Sequence, residues 1–238
     1  MPSASRTARD LARVELTRAI LDSAREQLRE VGPAALSVRA VARDVGMVSS
    51  AVYRYFPSRD SLLTALLVEA YDDLGEAVER AHAAAAGSPP AVRWRVACHA
   101  LRDWARDQPH RYALAYGSPV PGYVAPADTV APAGRVATVL LGIVGRVTAD
   151  RPAADRGPGP GSPAVSDAEA RSVEPVGRLL DPPLPPAETA RLLGAWATLL
   201  GHVSLELFGH LENAVLDLDV HFAHLLDLLV ADLGLPEG

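Results

Sequence analysis

Three observations predict that this chain is an all-α protein. Apolar residues recur at intervals of three and four along most of the sequence, which is the period of an amphipathic helix. Aromatic residues make up only 5% of the 238 residues, while Ala and Leu are abundant, and this composition favours helices over strands. No segment shows the alternation of apolar and polar residues that is typical of a strand.

The first two predicted helices are bounded by glycine and serine. Apolar spacing predicts a long helix over Thr7–Val31, and Gly32, followed at once by proline, ends it. Ser37 is expected to cap the second helix, because its side-chain oxygen can accept from a free N–H of the first turn. Gly46 ends this second helix, since glycine tolerates the backbone conformation of a tight turn.

The third and fourth helices are separated by a proline. The third is predicted over Ser49–Phe56, and Pro57 cannot continue it. Ser58 is expected to cap the fourth, which extends to about Ala86. Its apolar face consists of Leu62, Leu63, Leu66, Leu67, Ala70, Leu74 and Val78.

The remainder of the chain is predicted to be helical between loops. An irregular loop is expected at Gly117–Pro132, and a flexible, Pro/Gly-rich loop at Asp150–Asp167. The helices are predicted at Ala91–Asp107, His110–Tyr116, Ala133–Ala149, Asp167–Leu180, Ala187–Leu211 and Asp217–Leu233.

The second and third helices, joined by a tight glycine turn, form a helix-turn-helix arrangement. The third helix begins with small residues, so it can enter a DNA major groove closely, and its hydroxyls and methyls can contact base edges. A plain helical hairpin is the structural alternative, but it does not explain this run of small residues. The run is Val48, Ser49, Ser50 and Ala51.

Five further residues are predicted to contact DNA. Tyr53 and Tyr55 can donate to phosphate oxygens. The helix starts near Ser37 and Arg59 offer free N–H groups and positive dipole ends to phosphate. Arg39 can bind a guanine edge with two hydrogen bonds.

Charge is distributed unevenly along the chain. Residues 1–60 contain ten Arg against seven acidic residues, a net charge of +3, while residues 61–238 carry −9 and the whole chain −6. A mildly basic segment joined to an acidic body fits a small nucleic-acid-binding unit attached to another domain. An excess of three charges is also within normal fluctuation.

The stretch "LSVRAVARDVGMVSSAVYRYFPSRDSLLTALL" resembles the N-terminal DNA-binding domain of the TetR family of bacterial transcriptional regulators. The shared pattern is a Ser or Thr cap, Gly46, a small polar run, Tyr53 with an aromatic pair, a basic residue and a Leu pair. Arg59 stands where the family usually has Lys. Ser50 stands where Gly, Pro or another small residue is common, which leaves the base preference open.

Two later stretches resemble the C-terminal domain of one TetR subgroup, which is named for a Trp-His-Gly signature. They are Ala100–Gly117 and Trp196–Leu211, and in the second the order is Gly201-His202. The resemblance implies an all-helical effector domain, a homodimer formed by the last two long helices, and a DNA affinity that a small ligand lowers.

Aromatic residues and histidines of the C-terminal part are candidates for an effector pocket. Each has core packing as its default role, but together they could line an apolar cavity that carries a few polar groups. The predicted ligand-binding residues are His99, Trp104, Tyr112, Tyr116, Ile143, Trp196 and His202.

The sequence gives little support to metal, redox or enzymatic chemistry. Cys98 is the only cysteine, so an intrachain disulfide is impossible, and no cofactor is predicted. Two sets of possible metal ligands each lie on a single helix, and a polar stripe is the simpler interpretation. They are His202, Glu206 and His210, and Asp217, His221 and His224.

The sequence therefore predicts a cytoplasmic, ligand-responsive repressor that binds a pseudo-palindromic double-stranded DNA operator as a homodimer. A helix-turn-helix domain is expected at 1–60, and a helical effector-binding and dimerisation domain at 61–238. A small hydrophobic effector is expected, and no membrane partner. Two alternatives stay open: a helical enzyme, which would need convergent acid–base groups that the sequence does not show, and a dimeric regulator that senses no ligand.

Overall fold

The computed structural model describes residues 8–150, 165–181 and 183–238. Within them the chain is all-α as predicted, with no strand. The ten helices of this part are α1 (Ala8–Val31), α2 (Val38–Asp44), α3 (Ser49–Val52), α4 (Arg59–Ala84), α5 (Pro90–Asp107), α6 (Pro109–Tyr116), α7 (Val130–Asp150), α8 (Asp167–Gly177), α9 (Pro186–Leu207) and α10 (Leu218–Leu233).

Contacts divide the chain into two compact units. The first comprises Met1–Tyr71 and His110–Pro132, and the second Asp72–Pro109 and Ala133–Gly238. α4 therefore contributes its first half to one unit and its second half to the other. These are units of packing, and the functional division into 1–60 and 61–238 stays a prediction.

The core of the first unit is formed by the apolar faces of α1, α2 and α4. Ile20 and Ala24 of α1 and Val41 of α2 are fully buried. The predicted apolar face of α4 is buried throughout, from Leu62 onward. The apolar residues in the first half of α1 behave differently, because Leu11 and Val14 are exposed.

The turn that joins α2 to α3 is closed as the sequence predicts. Gly46 has a φ of 66°, in the left-handed region that disfavours residues with a Cβ. The Met47 N–H donates to Ala42 O at 2.8 Å and the Gly46 N–H to Arg43 O at 3.1 Å. This pair of bonds is a Schellman motif, and it satisfies carbonyls that the end of α2 would leave unpaired.

The second unit is built from the second half of α4 together with α5, α7, α8, α9 and α10. α9 packs against α5, α8 and α10, and α5 also packs against α10. The large side chains Trp94, Leu101, Ile143, Leu199 and Phe222 are buried in this unit.

Four helix boundaries differ from the prediction by three or four residues, and one of them is the end of α8, at Gly177 instead of Leu180. α3 ends at Val52 instead of Phe56, because the following amides bond three residues back, as in Tyr55 N to Val52 O. α7 begins at Val130, since Pro132 is tolerated in a first turn, where its missing N–H would have no partner. α9 ends at Leu207, before Gly209 with its φ of 77°. The loop predicted at Asp150–Asp167 lies mostly outside the described residues.

Candidate nucleic-acid interface

α2 is held on α1 by a buried glutamine. Ser37 accepts a hydrogen bond from Ala40 N at 3.4 Å, which confirms it as the cap of α2. The Ser37 N–H donates in turn to Gln27 Oε1 at 3.1 Å, and Gln27 Nε2 donates to Asp44 Oδ2 at 3.4 Å. Gln27 therefore fixes both ends of α2. Gln27 was not among the predicted functional residues, although its place on the apolar face of a helix was a signal.

The start of α3 divides the predicted small-residue run into an exposed and a buried part. Val48 is 70% exposed, Ser50 is exposed and Ser49 is half-buried. Ala51 and Val52 lie in the protein interior, at 9% and 0% exposure. The surface that α3 offers to a groove is thus formed by Val48 and the two serines, and burial favours a packing role for Ala51.

Two of the predicted DNA-contacting arginines have different environments. The Arg59 guanidinium donates to three backbone carbonyls, those of Leu36 at 3.0 Å, Pro33 at 2.8 Å and Ala34 at 2.9 Å. It therefore ties the connection between α1 and α2 to the start of α4. Arg39 is exposed, and no described residue pairs with it.

The residues that follow α3 add aromatic and basic groups to this surface. Tyr53 is 44% exposed, and Tyr55 is half-buried with the Arg13 guanidinium 5.7 Å from its ring centroid. A cleft of about 590 Å³ opens beside Tyr55 and is lined by Arg9, Arg13 and Arg54 among others. These three arginines are not among the predicted DNA contacts, although Arg54 stands between the two tyrosines.

The two tyrosines predicted as ligand contacts lie in the first unit. The Tyr112 ring is fully buried, 5.2 Å from that of Tyr116, and the Tyr116 ring is 5.9 Å from that of Tyr71. Burial raises the pKa of the Tyr116 hydroxyl well above its usual range. Tyr71 donates to Ala115 O at 3.2 Å, so the three rings form one packed aromatic cluster.

The other predicted ligand contacts lie in the second unit. Ile143 is buried on α7, while Trp104 of α5 and Trp196 of α9 are half-buried. The two predicted histidines, His99 and His202, both pack against Phe222 of α10. The centroid of each histidine ring lies 5.3 Å from the centroid of the Phe222 ring.

An ion-pair network joins α5, α9 and α10 beside these histidines. Arg102 donates through two nitrogens to the Glu206 carboxylate, each at 2.8 Å, and a third nitrogen lies 2.7 Å from Asp219 Oδ1. The side chains of Arg102 and Glu206 are 3% and 6% exposed. The partners are more than a hundred residues apart in sequence, so helical spacing gave no signal for this network.

His202 is part of the same surroundings. Its Nε2 lies 3.7 Å from Glu206 Oε2, too far for a hydrogen bond. Burial lowers the pKa of His202, and the Glu206 carboxylate opposes that shift. Within the described residues no group of three His, Cys, Asp or Glu is arranged to hold a metal ion.

Comparisons with known proteins account for both parts of the chain. Residues 20–66 match the family described as bacterial regulatory proteins, tetR family, and residues 94–229 match the tetracyclin repressor-like, C-terminal domain. The second match alone spans more than half of the chain. The chain belongs to the TetR family. Members of this family are transcriptional regulators and not enzymes.

Relatives support this membership over nearly the whole length. The HTH-type transcriptional regulators Rv1816 of Mycobacterium tuberculosis and Mb1846 of Mycobacterium bovis are each 40% identical over 231 residues, with 94% of this chain and 94% of the relative covered. The crystal structure of SCO4313, named as a candidate regulatory protein, is 32% identical with a TM-score of 0.76 and covers 94% of this chain and 100% of its own. A Rhodococcus sp. RHA1 protein of unknown function, 24% identical with a TM-score of 0.65 over 99% of this chain and 98% of its own, shares the fold.

The TetR-type C-terminal match, which ends at residue 229, contains the first and most of the second of the two helices that were predicted to form a dimer interface. Several apolar residues of these helices are buried within the chain itself, among them Leu192, Leu199 and Val203. A different set is exposed: Leu205, Phe208, Leu216, Val220 and Leu228.

One segment, Ala127–Asp150, is long and apolar enough to cross a membrane by length and composition alone. The core helix of a soluble protein passes the same test. In this TetR-family chain, α7 buries Val136, Leu140, Ile143 and Val144 within the second unit, as a core helix does.

Proposed function

We propose that this TetR-family regulator reads a pseudo-palindromic operator with α3 and represses transcription from it in the cytoplasm. The observation that carries the proposal is the exposed start of α3, where Val48 and Ser50 face outward while Val52 anchors the helix in the core. Tyr53 and the exposed Arg39 flank this surface with groups suited to phosphate and to base edges.

Substitution of Ser50 tests the reading surface. Ser50→Glu places a carboxylate at an exposed position against the negative potential of the groove, so operator binding should be abolished while the fold is unchanged. Gel shift measures the first and circular dichroism the second. Ser172→Glu, at an exposed serine of α8, is the matched control and should bind DNA normally. Operator affinity retained by Ser50→Glu would contradict the assignment.

The homodimer is proposed to form through exposed faces of α9 and α10. On α9, Gly194 and Gly201 are exposed and lie two helical turns apart on the same face. An added Cβ at either position would meet no atom within 4 Å. On α10, Val220 and Leu228 are 65% and 54% exposed. Small residues allow a second helix to approach closely, and exposed apolar residues gain from burial in a two-fold interface.

A small, mostly apolar effector is proposed to release the DNA. The half-buried Trp104 and Trp196 and the buried Ile143 favour an apolar ligand in the second unit. Tyr112 and Tyr116 of the first unit stay predicted effector contacts. Since α4 contributes residues to both units, a shift of α4 is a physical route for changing the spacing of the two reading heads.

Tryptophan fluorescence tests the response to an effector. A compound that binds near Trp104 or Trp196 should quench the emission and release operator DNA over the same concentration range. If no compound in a broad apolar panel does both, the regulator that senses no ligand becomes the better description.

A further inference from the structure

The first turn of α9 carries a buried carboxylate without a hydrogen bond. Glu188 is 3% exposed, and neither of its oxygens has a hydrogen-bond partner among the described residues. Buried polar groups in folded proteins are almost always paired, because an unpaired one loses its bonds to water and gains none. The helix dipole favours a negative charge at this end of α9 but supplies no bond to these oxygens.

The neighbouring arginine is also incompletely paired. Arg191 NH2 lies 3.4 Å from Glu188 Oε1, and the Arg191 side chain is 15% exposed. The Nε and NH2 groups of Arg191 are also buried, and they donate to no hydrogen-bond acceptor among the described residues. Two acceptor oxygens and two donor nitrogens on one turn of the helix thus have no hydrogen bond within the described chain.

The residues that follow Glu188 on the same face of α9 are apolar and buried. Glu188 begins the core-facing stripe of α9, which continues through Leu192, Ala195 and Leu199, each no more than 4% exposed. A ligand that reaches the pair therefore needs a polar head and an apolar body.

Charge selects the kind of head. An anion would meet the Glu188 carboxylate, and a cation would meet the Arg191 guanidinium, so each is repelled by one member of the pair. A neutral planar group that donates on one edge and accepts on the other satisfies both members. We propose that Glu188 and Arg191 bind the primary carboxamide or lactam head of an otherwise apolar ligand, the N–H groups donating to Glu188 and the carbonyl accepting from Arg191. The inference that this ligand is the effector rests on the proposed ligand response.

Matched alkyl amides test the site without DNA. Octanamide can donate and accept, whereas N,N-dimethyloctanamide can only accept. The wild-type protein should bind octanamide about 10- to 100-fold more tightly, since a hydrogen bond to a charged group is lost with the second probe. Octylamine and octanoate should both bind more weakly than octanamide. Calorimetry and the thermal shift of the intact protein measure these affinities.

Variants assign the discrimination to the carboxylate. In Glu188→Ala the two amides should bind equally, and this ratio is insensitive to any general loss of stability. Glu174→Gln removes a carboxylate from an exposed ion pair with Arg178 on α8 and should keep the wild-type ratio. Equal binding of the two amides to the wild type, an unchanged ratio in Glu188→Ala, or a preference for octylamine would each overturn the proposal.

A separate gel shift keeps the two proposals distinguishable. Octanamide that binds through Glu188 and leaves operator DNA bound would refute the proposed ligand response by this site while the binding site stands. DNA release by an apolar compound with no dependence on Glu188 would support the proposed ligand response and refute the Glu188 site as its origin.

Discussion

At the scale of single residues, Arg39 and Arg59 show how the same side chain takes different roles. The Arg39 guanidinium is exposed with no partner in the described part of the chain, so its donors are available to a base edge. The Arg59 guanidinium already donates to three carbonyls of the connection between α1 and α2. Different outcomes are therefore expected when each is truncated.

Arg39→Ala should relax the base preference at one position of the operator. The loss of a bidentate contact to guanine costs about 1–3 kcal/mol of discrimination at that base pair. The melting temperature should not change, because the side chain is exposed and makes no hydrogen bond or ion pair with the described residues. Selection on a randomised operator measures the preference. An unchanged profile would remove Arg39 from the base-reading residues.

Arg59→Ala should lower both stability and DNA affinity. Three carbonyls lose a charged donor, and two of these bonds are partly buried, so the free energy of unfolding should fall by about 1–3 kcal/mol. A lost phosphate contact should weaken binding for all sequences alike, and the salt slope should fall by about one per subunit. Urea denaturation and titrations at several salt concentrations separate the two effects. A stable variant with normal binding would contradict both roles.

At the scale of elements, α4 and α7 approach closely where α4 has a glycine. A Cβ added at Gly75 would lie 2.7 Å from Nε and 2.9 Å from Cβ of Arg135. The Arg135 guanidinium donates to the carboxylates of Glu79 and Asp72 on the same face of α4. The glycine thus makes room for an arginine that joins the two helices by ion pairs.

Gly75→Ala should be destabilising although alanine favours helices. Crowding against Arg135 costs about 1–3 kcal/mol. Gly134→Ala, in α7 with no atom within 4 Å of the added Cβ, is the control, and there helix propensity should stabilise by up to about 1 kcal/mol. Chemical denaturation should therefore place Gly75→Ala below Gly134→Ala. Equal stability of the two variants would show that the helices separate at no cost.

At the scale of the whole molecule, dimerisation decides whether two reading heads can bind one operator. Deletion of α10 is a poor test, because Phe222 and Leu226 are fully buried in the second unit and their loss would unfold it. The exposed glycines of α9 offer a cleaner one.

Gly201→Leu should give a folded monomer with weak operator binding. The new side chain meets no atom of its own chain within 4 Å of its Cβ, so the subunit is undisturbed, but it blocks a partner helix at the proposed interface. Sedimentation measures the association state and gel shift the DNA affinity. The control is Gly134→Leu in α7, where an added Cβ also meets no atom within 4 Å, and this variant should stay dimeric. A stable Gly201→Leu dimer would place the interface elsewhere.

The sequence by itself determined the local features of this protein. The cap at Ser37, the glycine turn at Gly46 and the break at Pro57 depend on neighbouring backbone atoms, and a periodic apolar pattern marks the buried face of α4. These features were enough to recognise a TetR-type reading head. Boundaries were less certain where two helix-compatible turns compete, as at the end of α3.

Only the tertiary structure decided how individual side chains are used. Periodicity shows which face of a helix is apolar but not what packs against it, so the burial of Ala51 and the engagement of Arg59 were not visible in the sequence. The Arg102–Glu206 pair joins residues 104 positions apart, and Glu188 reads as an ordinary acidic residue in a first turn. Their roles depend on which helices meet, and that is set by the packing of the whole unit and not by any local pattern.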